Sequence, residues 1–234
     1  IYKINYLIRS LLVSNTMKVQ MSYTPFFKNI HKQEATLKLY NYYMAKLHFF
    51  YSTMNAGKST ALLQSNHNYL ESNLRTVLFI PKEIGSKSNG QIVSRIGLKA
   101  DAIIADKNYK FFSELEKMKD ISCVFVDEAQ FLSKQQVHEL GRIADDLNIP
   151  VMCYGIRTDF QGKLFEGSLE LLAIADNLKE LKTICSECDK KATMVVRLNS
   201  NGEIILEGEK ILIGGNEVYK TLCRKHFRKL TKLI

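Results

Sequence analysis

The sequence has few of the features that keep a chain from forming an ordinary packed core. Only 3 of its 234 residues are proline and 12 are glycine, and no repeat or low-complexity tract occurs. This excludes collagenous, solenoid and disordered chains. No run reaches the roughly 18 consecutive apolar residues that a membrane span needs, and the longest, such as 123–126, have the length of buried strands. Since 46% of the side chains are hydrophobic, the composition predicts a globular protein with no membrane segment.

Cysteine is scarce and odd in number. Three of the five cysteines, Cys185, Cys188 and Cys223, have a spacing that suits a metal better than a disulfide framework. The other two, Cys123 and Cys153, lie in apolar runs and are expected to be core thiols. This usage predicts a reducing, cytoplasmic location.

Acidic residues are nearly missing from both ends of the chain, and this accounts for all of the net charge of +9. Residues 1–43 hold six Lys/Arg and one acid, and the last dozen residues hold five Lys/Arg and no acid. The body between them is nearly balanced. We therefore expect no basic groove and no nucleic-acid partner.

Residues 1–43 also lack a clear hydrophobic period. We expect an N-terminal extension here that is either disordered or upstream of a natural start at Met44. A targeting segment is the remaining alternative, because the stretch is basic and poor in acids.

From Met44 onward, apolar runs alternate with amphipathic segments, which is typical of an α/β parallel sheet with helices on both faces. We assign this domain to 44–181. Residues 182–234 form a smaller β domain with a basic C-terminal tail, and its apolar content is too thin for an independent core. The predicted strands are 47–51, 76–80, 121–126 and 151–154, then 182–185, 192–198, 204–206, 210–213 and 219–222, and the predicted helices are 58–70, 111–118 and 133–147.

A phosphate-binding loop follows the first predicted strand. The segment matches the P-loop pattern except that serine replaces the first glycine. In this pattern, backbone N–H groups and the helix N-terminus bind phosphates, Lys58 reaches the β and γ phosphates, and the Ser59 hydroxyl binds Mg²⁺. The alternative is a chance Gly-Lys-Ser at an ordinary helix start. The predicted phosphate-binding residues are Ser52, Thr53, Met54, Asn55, Ala56, Gly57, Lys58, Ser59 and Thr60.

Two carboxylates follow the apolar run 123–126. Asp127 is expected to hold Mg²⁺ through water, and Glu128, which points elsewhere, to act on a nucleophile. Alone, such a pair is more often a solvated strand end, but a P-loop upstream favours the functional interpretation. Both lie where ligands bind in open α/β sheets.

Cys185 and Cys188 form one C-x-x-C pair, Cys223 and His226 form a C-x-x-H pair, and 34 residues separate the two pairs. Four such ligands can close a tetrahedron around Zn²⁺ and leave no open position, so we predict a structural zinc site.

Together these motifs resemble the type II thymidine kinase family, over about residues 44–229. The resemblance implies a P-loop (RecA-like) domain, followed by a zinc-binding β lasso domain over 182–234. The segments that carry the resemblance are 52–60, 126–131, 154–160, 213–219 and the four predicted zinc ligands.

The resemblance also implies the reaction, in which the γ-phosphoryl group of ATP passes to the 5′-hydroxyl of thymidine, giving dTMP and ADP for nucleotide salvage. Glu128 would be the catalytic base, Lys58 a catalytic cation, and Ser59 and Asp127 the Mg²⁺ site. The ATP site would include Asp127, Glu128, Ala129 and Gln130. A cytosolic homotetramer with feedback inhibition by dTTP is implied as well. The implied thymidine-binding residues are Met54, Phe131, Ile156, Phe160, Phe165 and Tyr219.

The chain departs from the family after its second predicted strand. Where the family shows Asp-x-Arg near the phosphates, this chain has Gly85-Ser86-Lys87. The cation is kept only as Lys87, which lacks the planar fork of arginine.

Two alternatives use the same motifs differently. Asp-Glu-Ala-Gln after a P-loop also resembles helicase-like ATPases, but such motors need two lobes and residues 44–181 supply one. A P-loop switch with a nucleic-acid-binding zinc ribbon is the other alternative, and no Asn-Lys-x-Asp guanine signature is present.

Overall fold

The computed structural model describes residues 44–208 and 218–233. The predicted extension over 1–43 and the predicted strand at 210–213 lie outside these residues, as does most of the 213–219 segment. In chain order, the described elements are β1 (Leu47–Ser52), α1 (Lys58–Glu71), β2 (Arg75–Pro81), α2 (Lys82–Gly85), β3 (Gln91–Val93), β4 (Lys99–Asp101), β5 (Ile103–Ala105), α3 (Phe111–Glu116), β6 (Ile121–Val126), α4 (Lys134–Leu147), β7 (Val151–Ile156), α5 (Glu166–Ile174), β8 (Asn177–Glu180), β9 (Thr183–Ile184), β10 (Lys191–Ala192), β11 (Met194–Leu198), β12 (Ile204–Ile205), β13 (Tyr219–Leu222) and α6 (Arg224–Thr231).

The main sheet has six parallel strands in the order β5-β2-β6-β7-β1-β8. Its strands alternate in sequence with helices, which is the α/β fold that the sequence predicts. The strands β6, β7 and β1 are neighbours, so the segments that follow them meet at one edge of the sheet.

Alternating side chains of the strands form two cores, one on each face of the sheet. On β2, Phe79 packs in the core that contains α4, whereas Leu78 and Ile80 pack with Leu62 and Leu63 of α1. Because both faces are covered, the central strands are apolar at nearly every position, as their sequences predict.

The strands at the two sheet edges were not predicted. On β5, Ile103 and Ile104 are exposed, and on β8 Leu178 is 49% exposed. An edge strand has a neighbouring strand on one side only, and β5 and β8 are just three and four residues long. Short strands of this kind resemble loops in sequence.

The smaller β domain contains a β9-β10 hairpin, a β12-β11-β13 sheet and the helix α6. The basic C-terminal segment was predicted as a tail, and the helix α6 was not predicted. Only Phe227 and Thr231, four residues apart, are buried in α6, so its sequence shows too little apolar periodicity to indicate a helix. Phe227 is fully buried with Met194, Val196 and Leu222. The domain's core is small, as its composition predicts.

Within residues 44–208 and 218–233, no helix is both long enough and apolar enough to cross a membrane.

Candidate active site

The loop between β1 and α1 has the backbone of a phosphate-binding turn. Asn55 and Gly57 both have positive φ, of 62° and 73°. This left-handed conformation favours glycine. Gly57 is the N-cap of α1, and no side chain hydrogen-bonds there. The first N–H groups of α1 therefore remain available to an anion.

Lys58 is 8% exposed, and its ammonium group lies within this loop. Its Nζ donates to Thr53 O at 2.9 Å and to Ser52 Oγ at 3.2 Å. Ser52, which replaces the usual first glycine, also donates from Oγ to Thr53 O at 2.6 Å. The substituted serine thus helps to hold the lysine near the site that phosphates would occupy.

Ser59 and Asp127 lie together across the sheet edge. Ser59 Oγ donates to Asp127 Oδ2 at 2.7 Å, whereas Asp127 Oδ1 is buried with no hydrogen-bond partner among the described residues. Burial and then the charge of Glu128 raise the pKa of Asp127 to about 7. A hydroxyl beside a buried carboxylate supplies the oxygen donors that Mg²⁺ prefers, and an added cation would compensate the buried charge. These residues therefore fit the metal.

Glu128 begins a tight 3₁₀ turn, Ala129–Phe131, in a left-handed conformation with φ of 51° and ψ of 36°. For a residue with a Cβ this backbone costs of order 1–3 kcal/mol and is concentrated at functional sites. The turn directs Glu128 and Phe131 to the cavity, whereas Ala129 is fully buried beneath it.

A cavity of about 470 Å³ connects these groups. One part of its wall is polar and consists of the P-loop and Glu128. Another part contains aromatic side chains, and Phe131 and Phe165 contact each other edge to face with ring centroids 5.6 Å apart. All six residues that the resemblance assigns to thymidine line this one cavity: Met54, Phe131, Ile156, Phe160, Phe165 and Tyr219.

The sequence did not predict the contribution of the β3-β4 hairpin, whose tip also lines the cavity with Arg95 and Ile96. Ser94 and Leu98 close the tip through hydrogen bonds of 2.8 and 2.9 Å, and Gly97 has φ of 88°. The Ser-Arg-Ile-Gly segment is a turn signal, but only packing shows where the hairpin lies.

Arg95 lies close enough to Lys58 to affect its protonation. The pKa of Lys58 is lowered, and burial is the largest cause. The negative charges of Glu128 and Asp127 act in the opposite direction, whereas the positive charge of Arg95 lowers this pKa further. By contrast, Lys87 is exposed and is not among the residues that line the cavity. The arginine that lines this cavity is thus on the hairpin, outside the segment that the resemblance compares with Asp-x-Arg.

Cys185, Cys188, Cys223 and His226 form a cluster whose ligand atoms all lie within 4.8 Å of one another. The Sγ atoms of Cys188 and Cys223 are 3.9 Å apart, and His226 Nδ1 lies 3.5 Å from the Sγ atoms of Cys185 and Cys223. Tetrahedral bond lengths around zinc require about 3.8 Å between two sulfurs and about 3.6 Å between sulfur and nitrogen. The four residues therefore fit Zn²⁺.

The smaller β domain, described here over residues 182–208 and 218–233, contacts the P-loop domain. Thr53 Oγ1 donates to Met194 O at 3.1 Å, and Arg157 Nη2 donates to Thr193 O at 3.3 Å. Val195 and Tyr219 of this domain line the cavity. The arrangement links the domain that holds the three cysteines and His226 to the walls of the cavity.

This combination defines a class of protein: a P-loop phosphotransferase whose carboxylate lies between a phosphate-binding loop and an aromatic cleft. A family model described as thymidine kinase matches residues 45–227. The chain belongs to the thymidine kinase family and is an ATP-dependent nucleoside kinase.

Curated relatives named thymidine kinase support this assignment over nearly their whole length. The protein of Ruegeria pomeroyi is 52% identical over 191 residues, covering 80% of this chain and 96% of its own. That of Haemophilus influenzae strain Rd is 52% identical, covering 80% and 97%. That of Agrobacterium fabrum is 54% identical, covering 79% and 96%. Among solved structures, Pif1 helicase from Candida albicans matches 70% of this chain and 40% of its own at 14% identity, with a TM-score of only 0.37.

Proposed function

We propose that this thymidine kinase transfers the γ-phosphoryl group of ATP to the 5′-hydroxyl of thymidine, giving dTMP and ADP. The observation that carries the proposal is that Glu128 lines the same cavity as both the P-loop and the aromatic wall. A nucleoside with its base against Phe131 and Phe165 would place its hydroxyl between the carboxylate and the phosphates.

In the proposed reaction, the Glu128 carboxylate accepts the proton of the 5′-hydroxyl while the hydroxyl oxygen forms a bond to the γ phosphorus. The bond between the γ phosphorus and the β–γ bridging oxygen breaks, and ADP leaves with that oxygen. Lys58 and the N–H groups at the start of α1 stabilise the charge on the phosphate oxygens. Ser59 and Asp127 would hold Mg²⁺, which neutralises phosphate charge when bound.

The aromatic wall supports a nucleoside as the phosphoryl acceptor. Phe131, Phe160 and Phe165 supply flat apolar surface for the base, and Met54 and Ile156 add aliphatic contacts. Tyr219 of the smaller β domain would cover the nucleoside from the other side.

Arg95 is the cation that we propose in place of the family's Asp-x-Arg arginine. Arg95→Ala should lower kcat/KM by about 10²-fold, because a charged donor at the transferring phosphoryl group is lost. Lys87→Ala, the matched control, should stay within about twofold of wild type. Arg95→Lys should recover only part of the loss, because lysine lacks the bidentate fork. Steady-state kinetics of the three variants decides the matter, and a larger loss for Lys87→Ala than for Arg95→Ala would contradict the assignment.

Cys185, Cys188, Cys223 and His226 are the proposed ligands of one structural Zn²⁺. The thiolates that such a site requires persist under reducing conditions, which supports a cytoplasmic location.

The proposed working unit comprises the P-loop domain over 44–181 and the lasso domain over 182–234. The family match starts at residue 45, which supports activity of a shortened chain that begins at Met44. Turnover equal to that of the full chain would agree with this proposal, and an inactive shortened chain would refute it.

Membership of the family supports two further proposals, a homotetramer and feedback inhibition by dTTP. The base of dTTP would take the thymidine position and its phosphates the donor's position, so inhibition should be competitive with thymidine. Light scattering at micromolar protein and rates at varied dTTP test these proposals. A stable monomer would refute the first, and an unchanged rate at saturating dTTP the second.

ADP release with thymidine, with single-stranded DNA and with neither tests the proposed function against the helicase-like alternative. We expect release with thymidine alone. Stimulation by DNA without a response to thymidine would favour the nucleic-acid motor.

A further inference from the structure

Gln130 occupies a buried position between the two strand ends that form the site. Its side chain is 2% exposed. The amide Oε1 accepts a hydrogen bond from the Ile156 N–H at 3.1 Å, and the amide Nε2 donates to Glu128 Oε2. Gln130 thus connects the last residue of β7 to the carboxylate that follows β6.

The backbone of β7 determines which way this amide faces. A backbone N–H can only donate, so the oxygen of Gln130 must face Ile156 and its NH₂ group must face Glu128. The usual ambiguity between the two amide orientations is therefore resolved by the hydrogen bonds themselves.

Gly155 provides the room for this contact. A Cβ at that position would lie 2.8 Å from Gln130 Oε1 and 3.1 Å from Gln130 N. A side chain at 155 would push the amide away from β7, so the glycine here matches the close approach of Gln130 and not a special φ angle.

Glu128 needs such support because its backbone is in the left-handed region. A glutamate side chain has several rotatable bonds, and strained local geometry persists only where surrounding contacts determine it. A fixed donor on Oε2 restricts the carboxylate to one orientation and leaves Oε1 to accept a proton.

We propose that Gln130 is a positioning residue, which holds the Glu128 carboxylate in reactive orientation by linking it to the end of β7. The proposal rests on the proposed role of Glu128 as base. It differs from the phosphate-binding role that the resemblance implies for Gln130, because Oε1 and one N–H of Nε2 already bond within the protein. Gln130 also lines the cavity, so KM for ATP is the readout that separates the two roles.

Two substitutions separate the two hydrogen bonds of Gln130. Gln130→Met keeps the length of the side chain but removes both bonds. Gln130→Glu keeps an oxygen for the Ile156 N–H but places a second carboxylate oxygen against Glu128. Misplacement of a reacting group by about 1 Å can cost 10²-fold, so each variant should lose roughly 10- to 100-fold in kcat with little change in KM for ATP.

Gln136 offers a matched control. It is also buried, its Nε2 donates to Asp106 O at 2.8 Å, and its Oε1 accepts from Ser133 N at 3.0 Å in the capping box of α4. Gln136→Met should lower the melting temperature without lowering kcat. It therefore measures what the loss of a buried amide does by itself.

The decisive experiment measures kcat and KM for wild type, Gln130→Met, Gln130→Glu, Glu128→Gln, the Glu128→Gln/Gln130→Met double variant and Gln136→Met, with melting curves for all. If Gln130 acts through Glu128, adding Gln130→Met to Glu128→Gln should change kcat by less than about twofold. The proposal is overturned if the double variant shows the full product of the two losses, or if Gln130→Met mainly raises KM for ATP.

The outcomes also distinguish this inference from the proposed function. A large loss for Glu128→Gln with wild-type kcat in folded Gln130→Glu and Gln130→Met overturns the positioning role alone. Wild-type kcat in Glu128→Gln overturns the base assignment, and the positioning role with it.

Discussion

Replacing Glu128 by glutamine should lower kcat by about 10²- to 10⁴-fold and leave ATP binding nearly unchanged. General-base assistance is typically worth this much, and the amide keeps the shape of the carboxylate but cannot accept a proton. Glu128 lines the cavity beside the P-loop without belonging to it. A loss confined to turnover is therefore the expected signature.

Pre-steady-state rates under chemistry-limited conditions, together with ATP affinity, measure this effect. Lys58→Ala offers the contrast, since it removes charge from the phosphate site and should weaken both ATP binding and turnover. Glu114→Gln is the matched control, because Glu114 pairs with Lys117 on the surface and should be silent. Retention of more than about a tenth of wild-type kcat by Glu128→Gln would show that another group takes the proton.

Removing zinc should unfold the smaller β domain. Structural zinc contributes on the order of 10 kcal/mol where the ligands are not preassembled, and the domain's own core is little more than Met194, Val196, Leu222 and Phe227. The Thr53–Met194 hydrogen bond and the cavity wall at Tyr219 would be lost with it. Thymidine affinity should therefore fall together with the melting temperature.

Metal analysis and calorimetry of Cys188→Ser test this expectation. Cys153→Ala is the control, since Cys153 is fully buried in the main core and its removal should leave one zinc per chain. Cys188→Ser with a full complement of zinc, or with unchanged melting and thymidine affinity, would contradict the proposed metal site.

The central part of the fold could be predicted because its sequence is nearly determined by burial. The run 123–126 is apolar and buried on both faces of the sheet, and its strand β6 lies at the middle of the six strands. The P-loop and the cysteine pairs could be predicted for a different reason, since phosphate binding and tetrahedral coordination fix residue types at fixed local spacing.

Contacts between distant segments could not be predicted in this way. Arg95 lies 37 residues after Lys58 and reaches the site because Ile92, fully buried, packs in the same core as Leu62 and Leu63 of α1. Nothing in the hairpin sequence identifies this partner. The proposed role of Gln130 could not be predicted either. Its Oε1 accepts from the backbone N–H of Ile156, and any residue other than proline at that position would supply the same donor.

Identifying the product formed from ATP and thymidine by ³¹P and ¹H NMR tests the central claim most directly. The geometry predicts one dTMP for each ADP, with phosphorus coupled to the two 5′ protons of the sugar. A phosphate on the 3′-oxygen, or ADP formed without any phosphorylated nucleoside, would contradict the account.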